Sequence, residues 1–290
     1  MALAGNRLRR RAGGLEVVRK RWNSIHGEDT KKDMFLTDEQ WALIEPHLRI
    51  EPKSGLGRPR ADTRRVFEAV LFMLHTGVQW RFLPRSFPPK STVHDYLQGW
   101  CQQDSFRRLL SVLIRDLLDR GQISIDQGFV DATFAPAKGG GAGVGLTRKG
   151  KGTKIQIVVD NQGLPLGVSV ASADTGEPQM VQQTLDLFAE DTQPERLIGD
   201  KGYDSDPLDA VLADLGIEMI APHRSNRRPD RQTQDGRPLR RYRHRWIVER
   251  TIAWLGYHRR LLVRWEKKLS IFVGFTLLGC LMITLKKIGA

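Results

Sequence analysis

Between Gly128 and His223 the chain breaks into short apolar runs, GFVDAT, KIQIVVD, LPLGVSVASA, RLIGD and EMIAPH, each bounded by Gly, Pro, Asn or Asp. Runs of this kind read as buried strands. Helical stretches precede the fourth and fifth runs, at about Pro178 to Ala189 and about Pro207 to Leu215. In the second of these Asp206 is the expected cap and Pro207 the first helical residue. Three strands in succession, then helix, strand, helix, strand, predict a mixed sheet with helices on its faces, an α/β domain.

Upstream the pattern is helical. Thr37 and Gln40 form a capping box, with Leu36 placed to staple against Trp41. Pro52 to Arg60 reads as a linker. Asp62 caps a helix with an apolar stripe of Val66, Phe67, Val70, Leu71 and Leu74, and Gly77 ends it. After the breaker run Phe87-Pro88-Pro89, Ser91 is the expected cap of a third helix and Asp104 of a fourth, which runs to about Leu118. Helix, turn and helix at this spacing fit a helix-turn-helix unit with His94, Asp95 and Gln98 facing a groove. A plain helical bundle fits equally. The expected layout is a basic arm at 1–33, a small all-α domain at 34–122 and the α/β domain at 123–290.

A net charge of +13 over 290 residues points to a polyanionic partner. The arm carries nine Lys or Arg against four acids; Met34 is an alternative start. Residues 223–245 hold nine arginines against two acids, among them Arg241, Arg243 and Arg245, and read as a basic loop along a phosphate backbone, with a solvated surface loop as the plain alternative. Two scattered cysteines exclude a disulfide scaffold or a cysteine zinc site. Residues 270–288 are expected to form a buried C-terminal helix. Its apolar stretch, 271–285, is 15 positions long, short of the roughly 20 a span needs, so no membrane partner is expected. Gly145 to Lys151 approaches a nucleotide-binding P-loop, but position 152 is Gly and a strand follows, so no nucleotide cofactor is expected. The stretch Gly139 to Gly152 reads instead as a flexible loop with Lys151 and Lys154 near the polyanion. The seven histidines lack zinc-binding spacing, and no G-x-S-x-G is present.

Three acids stand out. Asp131 and Asp200 close two of the apolar runs, and Glu249 lies in the helical pattern RWIVERTIAWL. Tyr242, Arg245, Glu249, Ala253 and Gly256 recur at three- and four-residue spacings and share a face, with Val248, Ile252 and Leu255 beside it. Carboxylates are the ligands Mg²⁺ prefers, and paired metals about 3.5–4 Å apart serve phosphodiester chemistry. Asp200-Lys201-Gly202-Tyr203 adds a phosphate contact in Lys201 and, in Tyr203, a ring able to stack on a base.

These blocks, VDATF, GDKGYDS and YRHRWIVERTIAWL, together with LTDEQWALIEPHL and GRPR near the N-terminus, resemble the bacterial insertion-sequence transposases of the DDE class, insertion sequence family five. The family pattern Tyr, two residues, Arg, three residues, Glu is met by Tyr242, Arg245 and Glu249. The wider pattern has Lys or Arg seven positions after the Glu, where this chain has Gly256; Arg259 and Arg260 are the candidate substitutes for that basic residue. The resemblance implies an RNase H-like catalytic domain behind a helical DNA-binding domain. It implies catalysis by Asp131, Asp200 and Glu249 with Mg²⁺ or Mn²⁺, and cleavage at the element ends followed by joining of the 3′-hydroxyls to target DNA. The implied partners are double-stranded DNA, as terminal inverted repeats and target, and further copies of the chain in a dimer or larger complex on DNA, in the bacterial cytoplasm at the nucleoid. A nuclease that cuts without joining, and an inactive DNA-binding relic or repressor, are the alternatives.

Overall fold

The computed structural model describes residues 36–49, 60–188, 192–232 and 238–288. The expected arm at 1–33 and nearly all of the linker Pro52–Arg60 lie outside the described residues. The chain divides into two compact units with the break after Ser105. The helix expected to end near Leu118 therefore falls with the second unit.

In the first unit, α1 (Asp38–Ile44) starts at the expected capping box. Gln40 N donates to Thr37 Oγ1 at 3.2 Å and Thr37 N to Gln40 Oε1 at 3.1 Å. Leu36 and Trp41 are both buried. α2 (Thr63–Thr76) is capped by Asp62, buried continuously from Val66 to Leu74, and ended by Gly77 in the left-handed conformation. It is thus the core helix of this unit, wider in its burial than the predicted stripe. Phe67 lies 5.9 Å from the ring of Trp41 and 5.9 Å from that of Trp100, whose Nε1 donates to the Leu48 carbonyl at 2.9 Å. α3 (Lys90–Gln102) begins one residue before its expected cap. Pro89 is the N-cap, and Ser91 falls in the first turn, because the extended proline already leads into the helix without needing an amide of its own. Asp95 is exposed; His94 and Gln98 are half-buried, His94 with its ring 5.2 Å from that of Trp80.

The second unit opens with α4 (Ser105–Asp119), an amphipathic helix preceded by Asp104 at φ 53, a left-handed position that Asp tolerates. The sheet follows. β1 (Gly128–Pro136), β3 (Gly150–Val159) and β4 (Pro165–Ser172) are antiparallel neighbours, while β5 (Arg196–Ile198) and β6 (Glu218–Ile220) continue parallel to β1 on its other side. The order β4-β3-β1-β5-β6, three antiparallel strands then two parallel ones, is RNase H-like. A sixth short strand, β2 (Gly145–Thr147), pairs with the start of β3. Part of the expected flexible glycine-rich loop is therefore an ordered hairpin, since its backbone finds ladder partners there.

Helices α5 (Glu177–Leu185), α6 (Asp206–Asp214), α7 (Trp246–Gly256), α8 (Arg259–Leu262) and α9 (Leu269–Ile288) complete the unit. Ser205, not Asp206, is the N-cap of α6, and Pro207 follows at the second position; Asp206 instead pairs with Arg227. Side chains alternate across a strand. Gln156 of β3 reaches α5, through the Glu177 carbonyl at 3.1 Å and Thr184 Oγ1 at 2.9 Å. Asp131 pairs with Ile157 and so projects from the opposite face, where α7 packs. α9 is apolar enough and, at 20 residues, long enough to cross a membrane, yet most of it is buried within the fold, from Ile271 to Leu285 with few breaks, as in a core helix.

Candidate active site

Asp131 sits within β1, not at its end, because β1 continues through Pro136 along β3. In the parallel pair of β1 and β5, Phe129 is level with Ile198. Asp131 and Asp200 each lie two residues beyond that pair, on one face. Asp200 is also the N-cap of the 3-10 turn Lys201–Tyr203, its Oδ1 accepting from Gly202 N at 2.7 Å. Glu249 is in the first turn of α7, where a carboxylate favours the positive helix end.

Arg245, the N-cap residue of α7, joins the three. Its Nη1 lies 3.5 Å from Asp131 Oδ2 and 3.6 Å from Asp200 Oδ2, and its Nη2 pairs with Glu249 Oε1. The Tyr242 ring lies 5.8 Å from the guanidinium. The Asp131 side chain is only 19% exposed. Burial pushes its pKa up to about 6. The Ala132 amide and Arg245 oppose that rise, and the charges of Asp200 and Glu177 add to it. Burial pulls Arg245 down, but Asp131, Glu249, Tyr242 and Asp200 together hold it above its ordinary value, firmly protonated.

Among the described residues no group of three or more His, Cys, Asp and Glu is arranged to hold a metal ion. The three acids are instead spread around the Arg245 guanidinium. Their chemistry nonetheless fits a divalent cation of the Mg²⁺ class. All three offer oxygen ligands, and Asp131 is a buried carboxylate whose charge a nearby cation must offset. A β-carbon on Gly202 would lie 2.6 Å from Glu177 Oε2 and 2.7 Å from Asp200 Oδ1, so this glycine leaves open the space between two carboxylates.

Other predicted residues divide. Lys201, Lys151 and Arg243 are exposed; Arg241 and Tyr242 are half-buried. Tyr203 is 0% exposed, which rules out stacking on a base: its hydroxyl accepts from Gln156 Nε2 at 3.0 Å beneath the site, and burial pushes its pKa up. Lys154 also points inward. It donates to the Thr175 carbonyl at 2.8 Å and lies 3.4 Å from Glu177 Oε1, so it serves the fold. Two arginines of the basic loop are likewise committed to the protein. Arg224 donates to the carbonyls of Lys201 and Gly202, at 3.0 and 2.7 Å, and Arg227 pairs with Asp204 at 2.5 Å. Asp204 is a buried hub, also meeting His223 Nδ1 at 3.0 Å and Arg224 N at 2.8 Å. Residues 233–237 of this loop lie outside the described residues. A β-carbon on Gly256 would meet only Leu262, at an ordinary contact distance of 3.8 Å, so a side chain there would not clash. Arg260 cannot stand in for a basic residue there, since it is buried against Glu266; Arg259 is exposed.

Sequence reasoning missed Glu177, whose only local signal is the Pro178 that opens α5. It also passed over Gln156, although a polar residue inside the run KIQIVVD was a visible clue.

Two family models match the chain. One, described as "Putative transposase of IS4/5 family", covers residues 36–110, and the other, "Transposase DDE domain", covers residues 124–285. A putative transposase for insertion sequence element IS402 from Burkholderia cepacia is 34% identical over 140 residues, 46% of this chain and 62% of the relative. The chain thus spans less than two thirds of that relative's length. A putative transposase for insertion sequence element IS6501 from Brucella ovis is 32% identical over 134 residues, 46% of this chain and 98% of the relative. Among solved structures, a piggyBac transposase synaptic complex with hairpin DNA is similar at a TM-score of 0.48 and 11% identity, over 89% of this chain and 74% of that one. A pre-cleavage Mos1 transpososome is similar at 0.26 and 13%, over 81% and 82%. The fold assignment rests on the strand order, not on these two likenesses. The DDE domain model covers more than half of the chain, over the very elements that carry Asp131, Asp200 and Glu249, and the chain therefore belongs to the DDE transposase family, of the insertion sequence 4/5 kind.

Proposed function

We propose that this protein is the transposase of an insertion sequence. On this reading it binds the terminal inverted repeats, cleaves at the element ends and joins the freed 3′-hydroxyls to target DNA. The observation that carries the proposal is the single guanidinium of Arg245 set among three carboxylates from β1, the end of β5 and α7. Separate elements converge there on one highly charged spot, as a phosphodiester-processing centre requires.

Asp131, Asp200 and Glu249 would hold Mg²⁺ or Mn²⁺, which supplies charge neutralisation at phosphorus and activation of the attacking and leaving oxygens. The chain's own residues do the rest. Asp200 is fixed by its bond to Gly202 N, Asp131 by its bond from Ala132 N at 2.8 Å. Lys201, on the turn beside Asp200, and exposed Arg243 and Lys151, with Arg241, supply charge for the DNA backbone. In the first step a water oxygen attacks phosphorus at the element end and a 3′-oxygen leaves. In the second, that 3′-hydroxyl attacks a target phosphodiester and displaces a target 3′-oxygen. Two ends must be joined, which calls for at least two copies of the chain on DNA. The helical unit with α2 and α3 is the proposed reader of the inverted repeats.

The test is a strand-transfer assay with Mg²⁺, labelled DNA carrying the element's own ends, and Asp200→Ala as control. Joined products that vanish in the control support the reading. Cut but unjoined ends would mark a nuclease. End-specific binding without cleavage in Mg²⁺ or Mn²⁺ would instead support an inactive DNA-binding relic, the reading favoured by Gly256 with no basic side chain at its position.

A further inference from the structure

We infer that Arg245 is a DNA-released guard of the acid site: it acts as resident counter-cation for Asp131, Asp200 and Glu249 until a DNA phosphate draws it away, and only then can the acids take a divalent metal. This inference rests on the transposase reading of the same site and adds its regulation.

Three observations carry it. First, the guanidinium faces all three acids at once, and its Nη1 meets both aspartates. Arginine is not deprotonated in proteins, so a permanent positive charge stands among the carboxylates a divalent cation needs. The two cations repel, and the acids cannot fully serve both.

Second, the hold is asymmetric. The close partner is Glu249, on the same helix and four residues on, while both aspartates lie at 3.5 Å or more. Contacts of that length do not lock a side chain. Arg245 can leave Asp131 and Asp200 without breaking a short bond to either, so its pair with Glu249 is the one short bond that a DNA phosphate has to replace.

Third, Arg245 stands at a joint. The 3-10 turn Pro238–His244 ends immediately before it, and α7 begins immediately after. Its neighbours Arg241 and Arg243 belong to the proposed DNA-binding loop. A phosphate there offers the guanidinium a bidentate anionic partner of the kind a carboxylate provides. Release from the acids and engagement with DNA are then one movement. The consequence is economy of risk: without DNA the nuclease centre stays unloaded.

Mn²⁺ affinity of the full-length protein, measured by electron paramagnetic resonance and isothermal titration, tests this with and without a duplex carrying the element end. The parent should bind Mn²⁺ weakly alone and about tenfold or more tighter with DNA, the usual scale of coupling between two binding events. Arg245→Gln should bind Mn²⁺ tightly without DNA and gain little on adding it. Arg245→Lys should remain weak alone. The gain in Arg245→Gln should vanish when Asp200→Ala is added, which places it at this site. Equal or weaker Mn²⁺ affinity in Arg245→Gln overturns the guard, as does a gain that survives Asp200→Ala. The DNA dependence of the parent needs no variant, so a poorly folded Arg245→Gln leaves the question decidable: a parent whose Mn²⁺ affinity ignores DNA also overturns it. Failure of the transposase reading shows separately, as absence of metal-dependent end cleavage by the parent.

Discussion

Thr251 Oγ1 donates to the Gly163 carbonyl at 2.7 Å, and this bond seats the helix bearing Glu249 on the turn between β3 and β4. Arg250 Nη2 reinforces it through the Gln162 carbonyl at 2.6 Å. The turn is itself held by buried Asp160, whose Oδ1 accepts from Gln162 N at 2.9 Å and Leu164 N at 2.7 Å. The position of Glu249, proposed as a catalytic acid, thus depends on a hairpin far from it in sequence.

Thr251→Val keeps the shape but leaves a buried carbonyl without this donor, and should cost about 1–2 kcal/mol. Gly163→Ala should cost a similar 1–2 kcal/mol or so, since φ is 89° there and a β-carbon would meet Thr251 Oγ1 at 2.8 Å. Thermal denaturation gives the stability change. End cleavage should fall further than the lost stability explains, because Glu249 shifts with its helix; cleavage in proportion to folded protein alone would show that α7 is placed by other contacts.

The raised pKa of Asp131, about 6 against an ordinary 3.8, has a definite sign. The folded protein holds this proton more tightly than the unfolded chain does. The ionised carboxylate therefore penalises the metal-free fold in full above about pH 6, and the penalty disappears as pH falls from 6 towards 4. Asp131→Asn should stabilise the metal-free protein by roughly 1–3 kcal/mol at pH 7.5. The advantage should shrink to nothing near pH 4. Melting curves of both proteins in chelator across this range check it, and a gap independent of pH would refute the assignment.

Gly202→Ala should cut end cleavage by about tenfold or more, the scale on which misplaced catalytic groups are felt. The new methyl would push into Asp200 Oδ1, 2.7 Å away, on a short side chain already tied to Gly202 N. Glu177 can swing aside more easily. Circular dichroism should show a folded protein, and full activity would mean that Asp200 need not sit where it does.

Tyr203→Phe should lower stability by about 0.5–1.5 kcal/mol, the worth of an ordinary hydrogen bond, here the one from Gln156. Its affinity for end DNA should not change, because the ring is buried. A weakened DNA complex in a fully folded variant would restore a direct role for this tyrosine.

The basic loop should split in two. Arg241→Ala with Arg243→Ala should flatten the salt dependence of DNA binding by about 0.9 per lost phosphate contact, with little effect on melting. Arg224→Ala with Arg227→Ala should lower the melting temperature, since both arginines staple this loop to the turn after Asp200. Binding titrations over a range of salt, beside melting curves, separate the two pairs.

Local chemistry by itself determined much of this protein. The capping box at Thr37, the stop at Gly77, the short apolar runs of the sheet and the buried C-terminal helix are written in neighbouring residues, because caps and periodicity act over a few positions. Asp131, Asp200 and Glu249 were legible for the same reason, as acids in apolar or helical settings where an acid has to be explained. Tertiary structure alone decided what surrounds them. Arg245 and Asp131 are 114 positions apart, and no local pattern records that a helix start and a strand centre meet across a sheet. The inward turn of Tyr203 and Lys154, the approach of Glu177 to Asp200 and the diversion of Arg224 and Arg227 to the fold have the same cause. A side chain's charge or ring is a property of the sequence, but whether it meets solvent, DNA or a buried partner is settled by which elements pack against it.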